Sequence, residues 1–255
     1  MLGFKFGGIH CSEFGICMRS KNRPVLALPK IVTENLAGRD GSLDFSAANP
    51  GGRVLYNDRE LSIDCCFVAD SFSDIRKKSR DIAAWLAGGA KVLELDDEPN
   101  LFYNAKVINR LDFTQQFKRG YFTIIFGCSP FAYGPCEIGT AEDGDAYNNF
   151  DVTANRTIIV QNPGVFVNPL ILVDGNFRNL RFEHGNKALV ISTDAAGTMQ
   201  TRIDCDNMTV TRGTQNMLPL VSGEFIELQT GENEIFVRAD AINARIRFEF
   251  CPRYY

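Results

Sequence analysis

The clearest pattern in this chain is period-two alternation of apolar and polar positions. In Glu60–Val68, Leu61, Ile63, Cys65 and Phe67 share one face, with Ser62 and Asp64 between them. That is the signature of a half-buried strand. One stretch departs from it. From Ser71 to Gly89 the spacing becomes helical: Ile75, Ile82, Ala83 and Leu86 fall on one face with Trp85 beside it, and Arg76, Lys77, Lys78, Arg80 and Asp81 cover most of the rest. Ser71 or Ser73 can cap this helix, Asp74 complements its dipole, and Gly88-Gly89 stops it. A hairpin follows, Lys91–Leu95 and Phe102–Ile108, joined by Asp-Asp-Glu-Pro-Asn. Proline fixes φ there, and the acids can bond their own backbone.

Before the helix, residues 2–6 and 14–19 read as strands joined by a GGIHCSE turn. A short strand at Val25–Leu28 and an extended run at Lys30–Asn35 lead into AGRDGSLDF, where Gly38 and Gly41 bracket Arg39-Asp40 as a tight hairpin turn requires. After the helix and its hairpin, Leu111–Phe117 and Tyr121–Cys128 read as a second hairpin through Lys118-Arg119-Gly120. Residues 129–145 carry two prolines and three glycines with no periodicity, which places a domain boundary there. Beyond it only short strands and Gly/Asn/Asp turns occur, NPG at 162–164, DGN at 174–176 and TGEN at 230–233 among them. That spacing indicates an antiparallel sandwich. The expected fold is mainly β with one α-helix, in two domains, 1–135 and 136–255.

Composition narrows the function classes. There is no apolar run of about 18 residues, so no membrane-spanning helix is expected. The N-terminal MLGFKFGGIH lacks the charged and apolar regions of a secretory signal, so synthesis in the cytoplasm is expected. Residues 1–135 hold 17 Lys+Arg against 15 Asp+Glu; residues 136–255 hold 10 against 16. The first domain is therefore near neutral and the second acidic, without the basic stripe that grips nucleic acid. The eight cysteines make no CxxC pair and read as reduced, mostly core-filling thiols.

Candidate chemistry is sparse, and no catalytic residue, cofactor or metal is expected. No GxSxG, HExxH, P-loop or GxGxxG motif is present. A Ser-His-Asp triad could use only His10 or His184, and both read as turn residues facing solvent. The acids of DGDAYNNFD, residues 143–151, lack the full calcium-loop pattern. Those at Glu94, Asp96, Asp97 and Glu98 read as a solvated hairpin turn.

Several segments together resemble the distal tail proteins (Dit) of long, non-contractile-tailed bacteriophages. They are FGGIHCSEFGI at 6–16, RPVLALP at 23–29, AGRDGSLDF at 37–45 and AAWLAGGAKVLELDDEPNLFYNAKV at 83–107, then QNPG at 161–164, PLILVDG at 169–175, ISTDAAGTMQTRIDCD at 191–206 and LQTGENEIFV. AGRDG departs from the PGRDG expected of that family, and the cysteines are unusual for it. The resemblance implies a structural protein of the virion tail tip or baseplate. Its N-terminal domain would build a homo-hexameric ring through a helix and an extended hairpin, and its galectin-like C-terminal sandwich would project outward. Implied partners are the major tail tube protein, the tail-associated hub or fibre protein and receptor-binding proteins, with DNA only in transit and no membrane. The hairpin at 91–108 is the expected crossing element, and Arg39, Asp40, Glu94, Asp97 and Tyr103 are the candidate subunit-interface residues. A carbohydrate-binding module for cell-wall adsorption is the alternative.

Overall fold

The computed structural model describes residues 2–49, 52–136, 148–197 and 199–255. The chain divides into two compact units, Met1–Ala132 together with Tyr255, and Tyr133–Tyr254.

The first unit is an antiparallel sheet with one helix. Its strands are β1 (Phe4–Phe6), β2 (Ile16–Asn22), β3 (Thr33–Asn35), β4 (Ser42–Asp44), β5 (Arg59–Val68), β6 (Lys91–Leu95), β7 (Phe102–Val107), β8 (Thr114–Gln116) and β9 (Arg119–Cys128). The sheet order is β1–β6–β7–β9–β5–β2. The alternation in β5 reads directly onto it: Leu61, Ile63, Cys65 and Phe67 are buried, and the residues between them are half-buried. β9 mirrors this in register, Ile124 opposite Ile63 and Phe126 opposite Leu61. Cross-strand pairs of this kind are the unit of sheet stability.

Helix α1 (Phe72–Leu86) starts where capping chemistry puts it. Ser71 Oγ accepts the Asp74 N–H at 3.2 Å, and Asp74 Oδ2 accepts the Asp70 N–H at 3.2 Å. Ile75, Ile82, Trp85 and Leu86 are buried, whereas Ala83 is exposed, so the apolar face is rotated toward Trp85 from the expected one. The reason is Trp85 itself. Its ring stacks on Phe4 and Phe14 at 5.7 and 4.7 Å, and its Nε1–H donates to the Phe6 carbonyl at 3.0 Å. Lys91 Nζ donates to the Trp85 and Ala87 carbonyls, both at 2.9 Å, placing a cation at the negative end of the helix. Trp85→Phe removes the indole donor and leaves the Phe6 carbonyl short of one bond. It should lower unfolding stability by about 1–2 kcal/mol in a urea titration.

Several local expectations shift. The strands near the N-terminus, β1 and β2, do not pair with each other; β1 lies next to one end of the sheet order, where Ile9–His10 pairs along its outer side, and β2 lies at the other end. A two-residue strand and a short 3₁₀ turn at Cys11–Phe14 separate them. The turn between β8 and β9 is Phe117-Lys118, one step earlier than glycine suggested, with Phe117 at φ 52°. The hairpin β6–β7 does not project. β1 pairs along β6 and β9 pairs along β7, so it is an interior element of the sheet with Leu93, Leu95, Tyr103 and Ala105 buried.

The second unit is a β-sandwich organised by one long strand, β12. Its elements are β10 (Asn149–Val152), β11 (Arg156–Asn162), β12 (Leu170–His184), β13 (Lys187–Ala195), β14 (Thr201–Asp204), β15 (Thr209–Arg212), β16 (Gly231–Arg238) and β17 (Ala241–Glu249). Leu170–Val173 pairs with β14, whereas Arg181–Glu183 pairs with β16 and Phe177–His184 with β13. The strand thus passes from one sheet to the other. DGN at 174–176 is the bend inside β12 rather than a turn between strands. Gly175, at φ 134°, lets the backbone close on β17: a Cβ there would lie 2.4 Å from the Asn243 carbonyl oxygen. A bulge at Asn179 follows. Cys136 and Cys251 form a disulfide, which corrects the expectation of eight reduced thiols. They are 115 residues apart, so spacing gave no sign of the pairing. Cys128 and Cys205 are core-filling thiols, and burial pushes each up to about 12.

Candidate assembly site

One stretch of the first unit stands outside its sheet. Pro29 bridges Tyr56, Lys30 N–H donates to the Leu55 carbonyl at 2.7 Å, and Asn57 N–H donates to the Leu28 carbonyl at 2.8 Å. Above this base β3 and β4 pair only with each other, Thr33 opposite Asp44 and Asn35 opposite Ser42. The described residues between 28 and 57 therefore form an arm, two-stranded at β3 and β4. Its tip is the Gly38-Arg39-Asp40-Gly41 turn, with both glycines at positive φ, 82° and 74°.

The arm's composition does not match its surroundings. Every residue from 30 to 42 is exposed, so neither face of β3 is buried. Yet the arm and the approach to it carry Val25 at 87% exposure, Leu28 at 69% and Ile31 at 67%, with Val32, Leu36 and Phe45 also exposed. Contiguous apolar exposure of this kind marks an interaction surface, and an isolated two-stranded hairpin is marginally stable in water.

The acidic turn between β6 and β7 is a different object. Its carboxylates are paired with cations of the same chain: Glu94 with Lys5 at 3.5 Å, Asp96 with His10 at 3.2 Å, Asp97 with Lys21, and Glu98 with Arg23. Asp96 Oδ2 also accepts the Gly3 N–H at 2.7 Å. Ion pairing, rather than solvation alone, accounts for this run. Lys21 and Arg23 come from the end of β2 and just beyond it, so the turn clips the last strand of the sheet order to an inner hairpin.

The five sequence-derived interface residues therefore separate into two groups. Arg39 and Asp40 sit exposed at the tip of the arm. Glu94 lies near the end of β6 and Asp97 in the clipped turn, each paired with a lysine of the same chain. Tyr103 is buried, with its hydroxyl donating to Glu98 Oε2 at 3.0 Å, and burial pushes its pKa up. Its ring offers nothing to a neighbour. The structure does not bring the two groups together. The apolar residues of the arm were missed because an apolar run such as PVLALPKIV reads locally as an ordinary core strand.

The hydrogen bond from Lys21 holds the Asp97 carboxyl below the usual carboxylate range. A carboxyl depressed in the folded state adds stability above its unfolded pKa, near 4, and loses it as pH falls through the folded value. Asp97→Asn should lower stability by about 0.5–1 kcal/mol at neutral pH. Thermal melts of the two proteins should converge below about pH 3.

Both histidines have partners. His184 Nδ1–H donates to the Glu234 carbonyl at 2.9 Å. His10 lies between Ser12 Oγ at 2.6 Å and Asp96 Oδ2 at 3.2 Å, in the order of a hydrolytic triad. However, His10 Nδ1 already accepts the Ser12 N–H at 3.2 Å as the cap of the 3₁₀ turn, and Asp96 is committed to Gly3. The three form a structural tie between that turn, β1 and the acidic turn. Among the described residues no group of His, Cys, Asp and Glu is arranged to hold a metal ion. Residues 143–147 of the DGDAYNNFD segment lie outside the described residues.

Residues 9–128 match the family model of the phage tail protein RIFT-related domain. The matched stretch makes up most of the N-terminal unit. Among solved structures, the chain is similar over its whole length to the Dit protein (gp 19.1) of phage SPP1, described as a paradigm of the hub adsorption apparatus in phages infecting Gram-positive bacteria. The TM-score is 0.73 at 17% identity, covering 100% of both chains. A comparison with curated protein sequences finds no match. Over its whole length the chain therefore has the fold of that Dit protein, and residues 9–128 resemble a phage tail domain.

Proposed function

We propose that this chain assembles into a closed ring, a hexamer by family resemblance, at the tip of a siphophage tail. The arm of each subunit packs on the next copy. The single observation that carries this is the exposed apolar arm of residues 28–57, with Leu28 and Ile31 each more than half exposed. A soluble chain retains such a hairpin only if something covers it, and a second copy is always at hand. One arm docking on one recipient patch is a heterologous contact, which repeats until the ring closes. The arm takes the crossing role expected of the 91–108 hairpin, which is sewn into its own sheet. Arg39 and Asp40 at the tip are the interface residues retained; Glu94, Asp97 and Tyr103 support the fold.

In this reading the ring joins the tail tube to the tail-associated hub protein, and the C-terminal sandwich, whose domain begins near residue 136, serves as a platform for receptor-binding proteins. DNA passes through the lumen without tight binding, in keeping with the near-neutral charge of the ring domain. Among the described residues from 148 to 254 every aromatic is buried or half-buried, so no open stacking surface favours intrinsic sugar binding. Light scattering across a concentration series, with negative-stain imaging of the same sample, tests the proposal. Six-fold rings are expected. A monomer at high concentration that stays monomeric when the hub protein is added would overturn it.

A further inference from the structure

Two half-exposed thiols face each other on the strands that lead into and out of the arm, toward the end of their ladder away from it. Cys17 on β2 lies directly opposite Cys66 on β5 in the antiparallel register, and both are free. Opposed residues on antiparallel strands project to the same face. Here it is the outer one, since the neighbouring Ile16 and Cys65 are buried. Opposed Cβ atoms sit about 4.5–5.5 Å apart, and a disulfide needs about 3.5–4.5 Å. Closure therefore asks for a shift of roughly 1 Å. The β-bulge between Met18 and Ser20, next to the pair, loosens the ladder where that shift is needed. β2 is also the end strand of the sheet order, held on one side only, by β5.

The other two thiols in this region are poor competitors. Cys11 and Cys65 are buried, and burial pushes both upward, away from the thiolate that reacts. No metal-binding group of three His, Cys, Asp or Glu residues occurs among the described residues, so the cluster is not arranged as a zinc site.

We propose that Cys17 and Cys66 are a redox modification site that closes into a disulfide when the chain meets a small-molecule disulfide such as oxidised glutathione. The thiolate of one cysteine attacks a sulfur of oxidised glutathione and releases one glutathione. The second cysteine then attacks the protein sulfur of the mixed disulfide and releases the other. The protein pair loses two electrons and two protons, and one oxidised glutathione becomes two reduced ones. The loop so closed runs from 17 to 66 and contains the whole arm of residues 28–57. The bond ties together the strands from which the arm leaves and returns. It forms after synthesis in a reducing cytoplasm, when the particle reaches an oxidising exterior. The inference stands whether or not the arm builds a ring.

The test is to reduce the full chain, oxidise it with a glutathione redox buffer and map its tryptic peptides without reduction. Residues 6–19 contain Cys11 and Cys17, and residues 60–76 contain Cys65 and Cys66. A cross-link between these two peptides is expected in the native chain, in Cys11→Ala and in Cys65→Ala, and should be lost in Cys17→Ser and Cys66→Ser. The oxidised native chain should melt roughly 5–10 °C above its Cys17→Ser variant in the same buffer. A cross-link that persists in Cys17→Ser would overturn the assignment. So would stable glutathione adducts at both positions, or free thiols there while Cys136 and Cys251 oxidise. Circular dichroism of each variant confirms that it is folded, and the two surface serine variants hold the test if either buried alanine variant is not.

Discussion

Replacing Leu28 and Ile31 together by aspartate should leave a folded monomer where the native chain forms a ring. Both side chains lie mostly in solvent within the isolated chain, so the unfolding free energy should move by no more than about 0.5 kcal/mol per site. The effect on assembly is of another order. Each substitution trades an apolar contact for a carboxylate that must be desolvated in the interface without a designed partner. Two of them per arm should weaken association by roughly 4 kcal/mol or more, about 1000-fold in the association constant. Light scattering would then report monomer mass at concentrations where the native chain is fully assembled. Because a closed ring uses the same contact at each junction, one defective patch type breaks every junction at once. A conservative control, Arg39→Lys at the tip, keeps the charge and should keep the ring. If the doubly substituted chain still forms rings, the arm does not make the contact.

The arm also shows where sequence reading stops. Its turn was legible, since Gly38 and Gly41 around Arg39-Asp40 can hardly be anything else. Its exposure was not. Alternation and apolar runs report what a strand would bury if a second layer lay against it, and whether that layer exists depends on the topology of distant segments. The same limit hides how the 91–108 hairpin is paired within the sheet. Its strands and its Asp-Asp-Glu-Pro-Asn turn were visible locally. The partners that make it interior are β1, some 90 residues earlier in register, and β9, some 20 later. Local patterns hold no record of either. The helix fared better, because its cap, face and stop lie within one segment. Even so, Ala83 gave way to Trp85 on the buried face, since stacking with Phe4 and Phe14 decides the rotation. The two Cys–Cys relationships divide the same way. Cys136 and Cys251 meet only through the fold of the second unit, and Cys17 faces Cys66 only through the register of β2 on β5.

The bend of β12 gives the second large expected effect. Asp-Gly-Asn at 174–176 has turn composition, and the property that makes glycine a turn residue, freedom at positive φ, is what β12 uses to cross between sheets. Gly175→Ala should therefore damage the second unit far more than its single methyl suggests. The added Cβ would lie 2.4 Å from the Asn243 carbonyl oxygen and 2.8 Å from the Ala244 Cα, both backbone atoms of β17. Neither can move without disturbing the ladder that runs from Leu170–Glu249 to Arg178–Ala241. Backbone strain at φ 134° adds about 1–3 kcal/mol and overpacking a further 1–3. Loss of about 3–5 kcal/mol would lower the melting temperature of a unit this size by more than 10 °C. Gly185→Ala is the matched control. It also sits at positive φ, 56°, but nothing lies within 4 Å of its Cβ position, so only the left-handed strain, about 1 kcal/mol, remains. Calorimetry of the two variants beside the native chain separates the causes. A large drop for Gly175→Ala with a small one for Gly185→Ala assigns the damage to the close approach of β12 and β17. Equal drops would assign it to backbone conformation alone and would deny the bend its part in joining the two sheets.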